Sequence, residues 1–593
     1  MQSIKKLFFL LSVDERKNGF FLLLMIIVMA LLDMLGIVSV VPFIAVITNP
    51  DIIDSNKYLN EFFLFLNQFG VENKNHFLFV LGIFVFLFLI ISIIFKAFTN
   101  YVQLRFILMR RYTIGKRVLE AYLRQPYSWF LNRNSANLGK SILSEVGTVV
   151  GKGLTPLFEL ISRSLTVVVL VILLLLVDVK ITLLVAFIIG GSYGLLFYLT
   201  KNYLNRIGKE RFKNNTLLFR SITEAFGAVK EVKIGGLEKI YIERFSNPAK
   251  AIARKEANAG ILAFLPRYFL EAITFGGIIL IILYLMVDKG SFNDALPTIS
   301  LFVFVGYRLL PSLQSIYASF NQLTFVSTAI DSLYADLNSI AKIDTIKDLT
   351  KISLNKSISL EQVYYSYPNS SKTALKNINI NIPAGSTVGF MGSTGSGKTT
   401  IIDIIIALLE AQKGSLKVDG KIITKKNSRN WQSSIGYVPQ HIYLTDDSVA
   451  ANIALGTKLY DINYDLVEKA SKTANLHEFI INELPNKYHT KVGDRGIRLS
   501  GGQRQRIGIA RALYHNPSVI ILDEATSALD NLTESFVMDA IEKISQNKTI
   551  IIIAHRLSTL KKCDKIFLMN KGEIVNQGTY EKIILSNNNF IQN

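Results

Sequence analysis

The chain has 593 residues, of which 50% are hydrophobic, and it carries a formal net charge of +20. Its length accommodates several domains of ~100–200 residues each, and so many apolar residues predict membrane-spanning segments rather than an entirely soluble protein. The single cysteine, Cys563, excludes an intrachain disulfide. The basic excess leaves three partners open: nucleic acid, an anionic lipid surface or a bound anionic substrate.

Six apolar stretches in the first half of the chain are suited to crossing a membrane, for which a helix needs ~20 residues. They lie near residues 20–47, 77–98, 149–177, 181–199, 260–287 and 295–320. We therefore predict a multidomain membrane protein. Residues 1–335 would form a six-helix, α-helical transmembrane domain, and residues 336–352 a linker to a second domain.

The positions of the basic residues indicate a topology. Lysine and arginine concentrate in the amino terminus and in two long segments that follow the second and fourth apolar stretches. The segments after the first, third and fifth stretches lack this excess. By the positive-inside rule both termini face the cytoplasm, together with any domain that follows the sixth stretch. This topology accounts for the charge without nucleic acid, and it predicts that the two basic segments extend the spans as cytoplasmic helices.

The second half of the chain contains a complete phosphate-binding pattern, GxxxxGK[ST]. Residues 387–391 predict a strand before this loop, and residues 401–409 predict an apolar helix after it. Backbone N–H groups of the loop would hold phosphates, Lys398 would reach the terminal phosphates, and the Thr399 hydroxyl would bind Mg²⁺. The pattern and the residue after it are Gly392, Ser393, Thr394, Gly395, Ser396, Gly397, Lys398, Thr399 and Thr400.

Further along, an apolar run ends in two carboxylates. Residues 519–522 lead directly to Asp523 and Glu524, as expected of a buried strand that delivers a carboxylate to a sheet edge. Asp523 would hold Mg²⁺ through oxygen ligands, and Glu524 would act as the general base that activates a water. The glycine pair at 501–502, after Ser500, predicts a helix start whose free N–H groups favour an anion.

Residues 353–593 resemble the nucleotide-binding domain of ABC transporters, an α/β P-loop ATPase. In that family the sequence LSGGQ is the signature motif, and it caps the ATP held by the phosphate loop of a second domain. The other family motifs are present here in the same order. The resemblance implies that Tyr367 stacks on adenine, that Gln440 joins Thr399 and Asp523 at Mg²⁺, that His555 holds the γ-phosphate, that Asp530 closes the D-loop, and that Ser500, Gly501, Gly502 and Gln503 act in trans.

One chain contains one phosphate loop and one signature motif, so the resemblance implies an ATP-hydrolysing half-transporter that uses ATP and Mg²⁺. Two copies would share two sites, and a twofold homodimer is the simplest such assembly. The resemblance also implies short helices that couple the ATPase to the spans, for which we predict Tyr127–Asn132 and Thr223–Lys230. ATP binding and hydrolysis would then drive alternating access, in which the spans open to each side in turn.

Two arginines, Arg267 and Arg308, fall within the predicted fifth and sixth spans. An arginine at mid-bilayer costs at least ~2.5 kcal/mol, so it usually faces a cavity or a partner. In a cavity, guanidinium groups would suit a phosphate or pyrophosphate substrate. Two other interpretations remain open: the side chains reach the inner interface, or Arg267 pairs with Glu271 one turn further on.

The membrane half also resembles, in short stretches, the bacterial lipid-linked oligosaccharide flippases of protein glycosylation. These stretches are 41–44, 266–271, 298–300 and 307–312. The resemblance implies ATP-driven flipping of a polyprenyl-pyrophosphate oligosaccharide across the bacterial cytoplasmic membrane, with membrane lipid and a lipid-linked glycan as partners. The alternative cargoes are a drug, a peptide or a simple lipid.

Two other classes of protein could use the same ATPase motifs. An ABC ATPase of translation or DNA repair would bind nucleic acid, but six spans argue strongly against that class. A channel regulator would use ATP to gate a pore without transport, but intact Glu524 and His555 favour turnover over gating. We therefore expect no nucleic-acid partner.

Overall fold

The computed structural model describes residues 2–289, 292–339, 350–368, 370–493, 496–524, 534, 548–554 and 557–585. The chain divides into two compact units, Met1–Gln125 with Arg133–Lys342 and Pro126–Asn132 with Ile343–Asn593. The short segment Pro126–Asn132 thus belongs to the unit that contains the ATPase motifs. It includes residues 127–132, which we predicted as a coupling helix.

The first unit is helical, and its longest helix is a single run of 52 residues. In chain order the helices are α1 Gln2–Leu10, α2 Val13–Val38, α3 Val40–Thr48, α4 Ile52–Ser55, α5 Lys57–Asn67, α6 Lys74–Leu123, α7 Tyr127–Phe130 (within the segment assigned to the second unit), α8 Ser135–Lys140, α9 Val146–Val149, α10 Thr155–Val177, α11 Val179–Gly227, α12 Val229–Ile234, α13 Glu238–Lys289, α14 Phe292–Phe325 and α15 Ser327–Ser339. Two π-helical turns, Ser141–Glu145 and Val150–Leu154, flank α9.

Five helical stretches in the described part of the chain are long and apolar enough to cross a membrane: Val13–Thr48, Lys74–Leu123, Ser135–Val177, Val179–Gly227 and Ile299–Phe325. The predicted fifth span, 260–287, lies within α13, and the predicted sixth begins within α14. Many side chains between residues 265 and 298 lie outside the described ones. The number six and the limits of the spans therefore stay predictions.

The helices α6 and α11 are longer than a membrane is thick. Their 50 and 49 residues extend ~75 Å at ~1.5 Å per residue, compared with ~30 Å for the hydrocarbon core of a bilayer. Asp178 fixes the start of α11, because its side chain accepts a hydrogen bond from the backbone N–H of Ile181 at 2.9 Å. Both helices can thus cross a bilayer and continue beyond it.

A buried charge in this unit is paired between helical segments. Glu145 ends the first π-helical turn and is buried. It accepts hydrogen bonds from Arg211 at 3.0 Å and from Asn215 at 2.7 Å, both on α11. These bonds offset the free energy that is lost when the charges leave water, and they connect α11 to the segment before α10.

The second unit is built on two β-sheets. In chain order the strands are β1 Ser357–Ser366, β2 Thr373–Pro383, β3 Thr387–Gly392, β4 Lys413–Val418, β5 Lys421–Ile422, β6 Ile435–Val438, β7 Val519–Asp523, β8 Thr549–Ile553, β9 Lys565–Asn570 and β10 Glu573–Gly578. An antiparallel sheet has the order β2-β1-β4-β5, and a six-stranded sheet has the order β10-β9-β3-β8-β7-β6. Within the six-stranded sheet the pairs are parallel, except that β10 is antiparallel to β9.

The middle of the six-stranded sheet is the core of this unit. Every residue of β7 and β8 is buried, as expected of parallel strands that are covered on both faces. The helices of the unit in the described residues are α16 Lys398–Ile405, α17 Ser428–Gln432, α18 Val449–Ile453, α19 Tyr464–Thr473, α20 His477–Glu483, α21 Gly501–Tyr514 and α22 Tyr580–Leu585. Because β3, β7 and β8 are parallel, the residues that follow them lie at one edge of the sheet.

Candidate active site

The phosphate loop connects β3 to α16. Gly392 has a φ of 155° and Gly397, the N-cap of α16, has a φ of 103°, values that favour glycine. A Cβ atom on Gly392 would lie 2.3 Å from the carbonyl oxygen of Met569. The path of the loop therefore depends on glycine. Residues 393–395 are exposed, which leaves this part of the loop open to a phosphate.

Lys398 is a buried cation at the start of α16. Its ammonium group donates hydrogen bonds to the carbonyl oxygens of Gly392 at 2.7 Å and Ser393 at 3.0 Å. Burial lowers the pKa of Lys398, and the negative charges of Glu524 and Asp523 oppose that shift. The two carboxylates thus help to maintain a positive charge beside the loop.

Asp523 is buried at the end of β7. The hydroxyl of Tyr437, on the neighbouring strand β6, donates a hydrogen bond to Asp523 Oδ2 at 3.2 Å. Burial raises the pKa of Tyr437, and Asp523 adds to the shift, so the phenol stays protonated and remains a donor. This hydrogen bond orients the carboxylate that we predicted as a Mg²⁺ ligand.

Glu524 has a φ of 50°, a left-handed backbone conformation that is uncommon outside glycine and clusters at functional sites. Its backbone N–H donates to the carbonyl oxygen of Ile553 in β8 at 3.1 Å. Its side chain accepts a hydrogen bond from Gln440 Nε2 at 2.5 Å. The structure therefore brings the predicted base into direct contact with Gln440, a predicted Mg²⁺ ligand.

The signature residues form the start of α21. The Ser500 hydroxyl accepts a hydrogen bond from the backbone N–H of Gln503 at 3.2 Å, and the Gln503 side chain accepts one from the backbone N–H of Ser500 at 2.8 Å. This reciprocal capping box fixes the first turn of the helix. Gly501 and Gly502 follow the cap, at the start of a 14-residue helix, where the helix dipole favours an anion.

The structure describes only part of the remaining predicted site. The Tyr367 hydroxyl lies 3.0 Å from Thr400 Oγ1 on α16, and its ring packs edge-on against Tyr365, with centroids 5.2 Å apart. His555 and Asp530 lie outside the described residues. The stacking role of Tyr367 and the roles of His555 and Asp530 stay predictions.

Asp403 is a carboxylate near this site that the sequence patterns did not identify. It is buried on α16, and burial, together with the charge of Asp523, raises the pKa of Asp403 to about 6. The one signal in the sequence was an acidic residue inside the apolar helix 401–409. Asp403 belongs to no sequence motif. Its effect on the site depends on how close α16 lies to β7, and only the folded structure gives that distance.

The residues at this edge fit ATP and Mg²⁺. Ser396 Oγ is buried and has no hydrogen-bond partner in the described part of the chain, and the Thr399 side chain is exposed beside it. Thr399, Gln440 and Asp523 offer the oxygen ligands that Mg²⁺ prefers. Among the described residues no group of three or more His, Cys, Asp or Glu could hold a metal ion.

The two predicted cavity arginines both face carboxylates in the membrane unit. Arg267 donates from Nε to Glu271 Oε1 at 2.7 Å, on the same helix. Arg308 Nη1 lies 3.5 Å from Asp33 Oδ1, and the other oxygen of Asp33 accepts a hydrogen bond from Lys96 at 2.8 Å. Arg267 therefore belongs to a neutral pair, whereas Arg308 shares one carboxylate with a second cation.

Two family models match the chain: "ABC transporter" over residues 375–527 and "ABC transporter transmembrane region" over residues 54–308. An ATP-dependent lipid A-core flippase of Cupriavidus pinatubonensis is 31% identical over 476 residues, which are 79% of this chain and 80% of that relative. The chain belongs to the ABC transporter family.

Other similarities of this ABC transporter agree. A Bacillus subtilis protein named as a multidrug export ATP-binding/permease protein is 27% identical over 80% of this chain and 81% of that relative. A solved structure of a bacterial Atm1-family ABC exporter with ATP bound covers 95% of both chains, with a TM-score of 0.78 and 20% identity, and shares the fold. The predicted order of membrane domain and ATPase domain, and ATP hydrolysis coupled to transport, are confirmed.

Replacing Glu524 with Gln should leave ATP binding intact and lower ATP hydrolysis by about 10²–10⁴-fold, because a general base is lost while the side-chain shape is kept. Phosphate release from the purified transporter in liposomes measures hydrolysis, and a fluorescent ATP analogue measures binding. Glu483→Gln, at an exposed carboxylate on α20, should keep the wild-type rate. Hydrolysis near the wild-type rate in Glu524→Gln would exclude Glu524 as the base.

Asp403→Asn should raise the thermal unfolding temperature at neutral pH. In the folded chain the pKa of Asp403 is about 6, so between its ordinary value near 3.9 and about 6 the folded state binds more protons, and stability falls as the pH rises. The gain from Asp403→Asn should therefore shrink as the pH is lowered from about 7.5 towards 4.5. Asp465→Asn, at an exposed position, is the control. An equal gain at both pH values would contradict the assignment.

Proposed function

We propose that this exporter flips a lipid-linked substrate across the bacterial cytoplasmic membrane, with its ATPase domain in the cytoplasm, and that the substrate is a polyprenyl-pyrophosphate oligosaccharide. The relatives named lipid A-core flippase support movement of a lipid. The pyrophosphate component of the proposal depends on a single observation, the charge cluster formed by Asp33, Lys96 and Arg308.

Among the described residues this cluster contains two cations and one carboxylate. Asp33, on α2, is 3% exposed, whereas the side chains of Lys96 on α6 and Arg308 on α14 are 20% and 29% exposed. An unmatched positive charge is costly in a membrane and marks a substrate pathway or a missing partner. A phosphate or pyrophosphate headgroup would supply the second negative charge, and guanidinium geometry suits it. Arg267 is less suited to this role, because Glu271 already balances its charge.

We further propose that two copies of the chain form the ATP sites. Lys398, Thr399, Gln440 and Asp523 would act within one copy, and the signature residues 500–503 would come from the other. A homodimer is the commonest symmetric assembly. Large apolar side chains near α12, Phe226 and Ile234, are exposed in the single chain, which is consistent with burial against a second copy.

The chemistry of this site is phosphoryl transfer to water, which needs positioning and charge neutralisation more than covalent catalysis. Lys398 and the N–H groups of the loop would hold the phosphates. Glu524 would accept a proton from the attacking water, while Gln440 and His555 would orient the groups around the γ-phosphate. Mg²⁺, when bound, neutralises phosphate charge. Closure of the two ATPase domains and their release after hydrolysis would then drive alternating access.

A second candidate cargo is a drug, a peptide or a simple lipid. The multidrug name of the Bacillus subtilis relative favours it. A neutral cargo would gain nothing from the unmatched charge of Lys96 and Arg308. The effect of removing that charge therefore discriminates between the two candidates.

The shared ATP site predicts complementation between two inactive chains. A mixed dimer of Lys398→Ala and Ser500→Arg has one site with both motifs intact and one site with neither, so part of the ATPase activity should return. Phosphate release from dimers purified through two different tags measures this, with each variant alone as the control. Mixed dimers that hydrolyse ATP no faster than their parents would leave the shared site unsupported.

The charge cluster predicts a selective effect of Arg308→Ala. Flipping of a pyrophosphate-linked glycolipid in liposomes should fall by roughly 10–100-fold, the range for one charge-assisted hydrogen bond. Thermal stability should be kept, because Lys96 still pairs with Asp33. Arg267→Ala should have a smaller effect, and a neutral lipid serves as the comparison substrate.

Three outcomes would count against the pyrophosphate proposal. These are unchanged glycolipid flipping in Arg308→Ala, an equal loss for the neutral lipid, and a general fall in stability. The second outcome would favour the alternative cargo, and the third would make Arg308 a structural residue.

A further inference from the structure

Pro266 lies inside the long helix α13. Proline has no backbone N–H, so the carbonyl oxygen four residues earlier loses its usual partner in the helix. That oxygen belongs to Leu262. In a membrane an unpaired carbonyl is costly, and proline is tolerated in such helices where a neighbouring group supplies the missing hydrogen bond.

Asn321 supplies this hydrogen bond from a different helix. It lies on α14, is 1% exposed, and its Nδ2 atom donates to the carbonyl oxygen of Leu262 at 3.4 Å. Its Oδ1 atom accepts no hydrogen bond from the described residues. Burying the Asn321 amide therefore leaves one of its polar atoms unsatisfied, which costs free energy. The hydrogen bond that the amide does make is to the carbonyl oxygen that Pro266 leaves without a helical donor.

Nearby polar side chains of α14 behave differently. The hydroxyl of Thr324 donates to the carbonyl oxygen of Phe320, and that of Ser312 donates to the carbonyl oxygen of Arg308. Both contacts lie within α14, four residues apart, so neither connects two helices. Among these three polar residues of α14, Asn321 alone makes a hydrogen bond to α13.

We propose that Asn321 is a positioning residue for transport. By donating to the carbonyl oxygen of Leu262, which Pro266 leaves without its usual helical donor, Asn321 holds α14 to α13 so that the two helices move together. The proposal does not depend on which substrate is carried.

The variant Pro266→Ala tests this role of Asn321 directly, because it restores a backbone N–H donor at position 266. Alanine has the N–H that proline lacks, so it can bond Leu262 within the helix, and Asn321 becomes dispensable. In liposomes of phosphatidylethanolamine and phosphatidylglycerol, Asn321→Leu should lower the rate of ATP hydrolysis by about tenfold. A tenfold change corresponds to ~1.4 kcal/mol, which lies within the range of free energy lost when a buried carbonyl is left unpaired. In the Pro266→Ala background the same substitution should lower the rate by less than about twofold.

Thr324→Val is the matched control, because it removes a hydrogen bond from the same helix without touching α13. Its effect should be small and equal in both backgrounds. If Asn321→Leu alone does not fold, recovery of a folded, ATP-hydrolysing protein in the double variant supports the proposal equally. Equal losses from Asn321→Leu in both backgrounds, or no loss in either, would overturn it. Since these measurements use hydrolysis and folding, they are independent of whether a pyrophosphate lipid is the cargo.

Discussion

The parallel pairing of β3, β8 and β7 is the constraint on which the ATPase domain depends. Phe390 pairs with Ile553, and Leu522 pairs with Ile552. This register brings the ends of three strands to one edge, where the phosphate loop follows β3, Glu524 follows β7 and Ala554 follows β8. The apolar runs of β7 and β8 are buried along their whole length and lead directly to these edge residues, so the runs that form the core also position the chemistry.

In the membrane unit, several buried polar groups are paired between helices. Asp33 pairs with cations on two other helices, Glu145 with α11, and the carbonyl oxygen of Leu262 with Asn321. In a low-dielectric interior, breaking such a bond leaves a buried polar or charged group unpaired, which lowers the stability of the fold. These contacts therefore specify how the helices are placed relative to one another, which apolar packing alone does less strictly.

Much of this architecture follows from sequence, and the exceptions have physical causes. The phosphate loop, Asp523 and Glu524 were predictable because each is a fixed pattern next to an apolar run. Asp403 was not, because its raised pKa depends on burial and on the charge of Asp523, which is far away in the sequence. The partners of Arg308 were equally hidden, since Asp33 and Lys96 lie more than two hundred residues away in the sequence. The Arg267–Glu271 pair was among the stated interpretations, because four residues make one helical turn.

The central claim is that ATP hydrolysis at this sheet edge drives lipid movement through the membrane unit. The most direct test measures phosphate release and the appearance of a pyrophosphate-linked glycolipid in the opposite leaflet, in the same liposomes, as Mg²⁺ is titrated at constant ATP. We expect both rates to rise along one Mg²⁺ curve and to be absent without the ion. Lipid movement that proceeds equally without Mg²⁺ and ATP would contradict the claim.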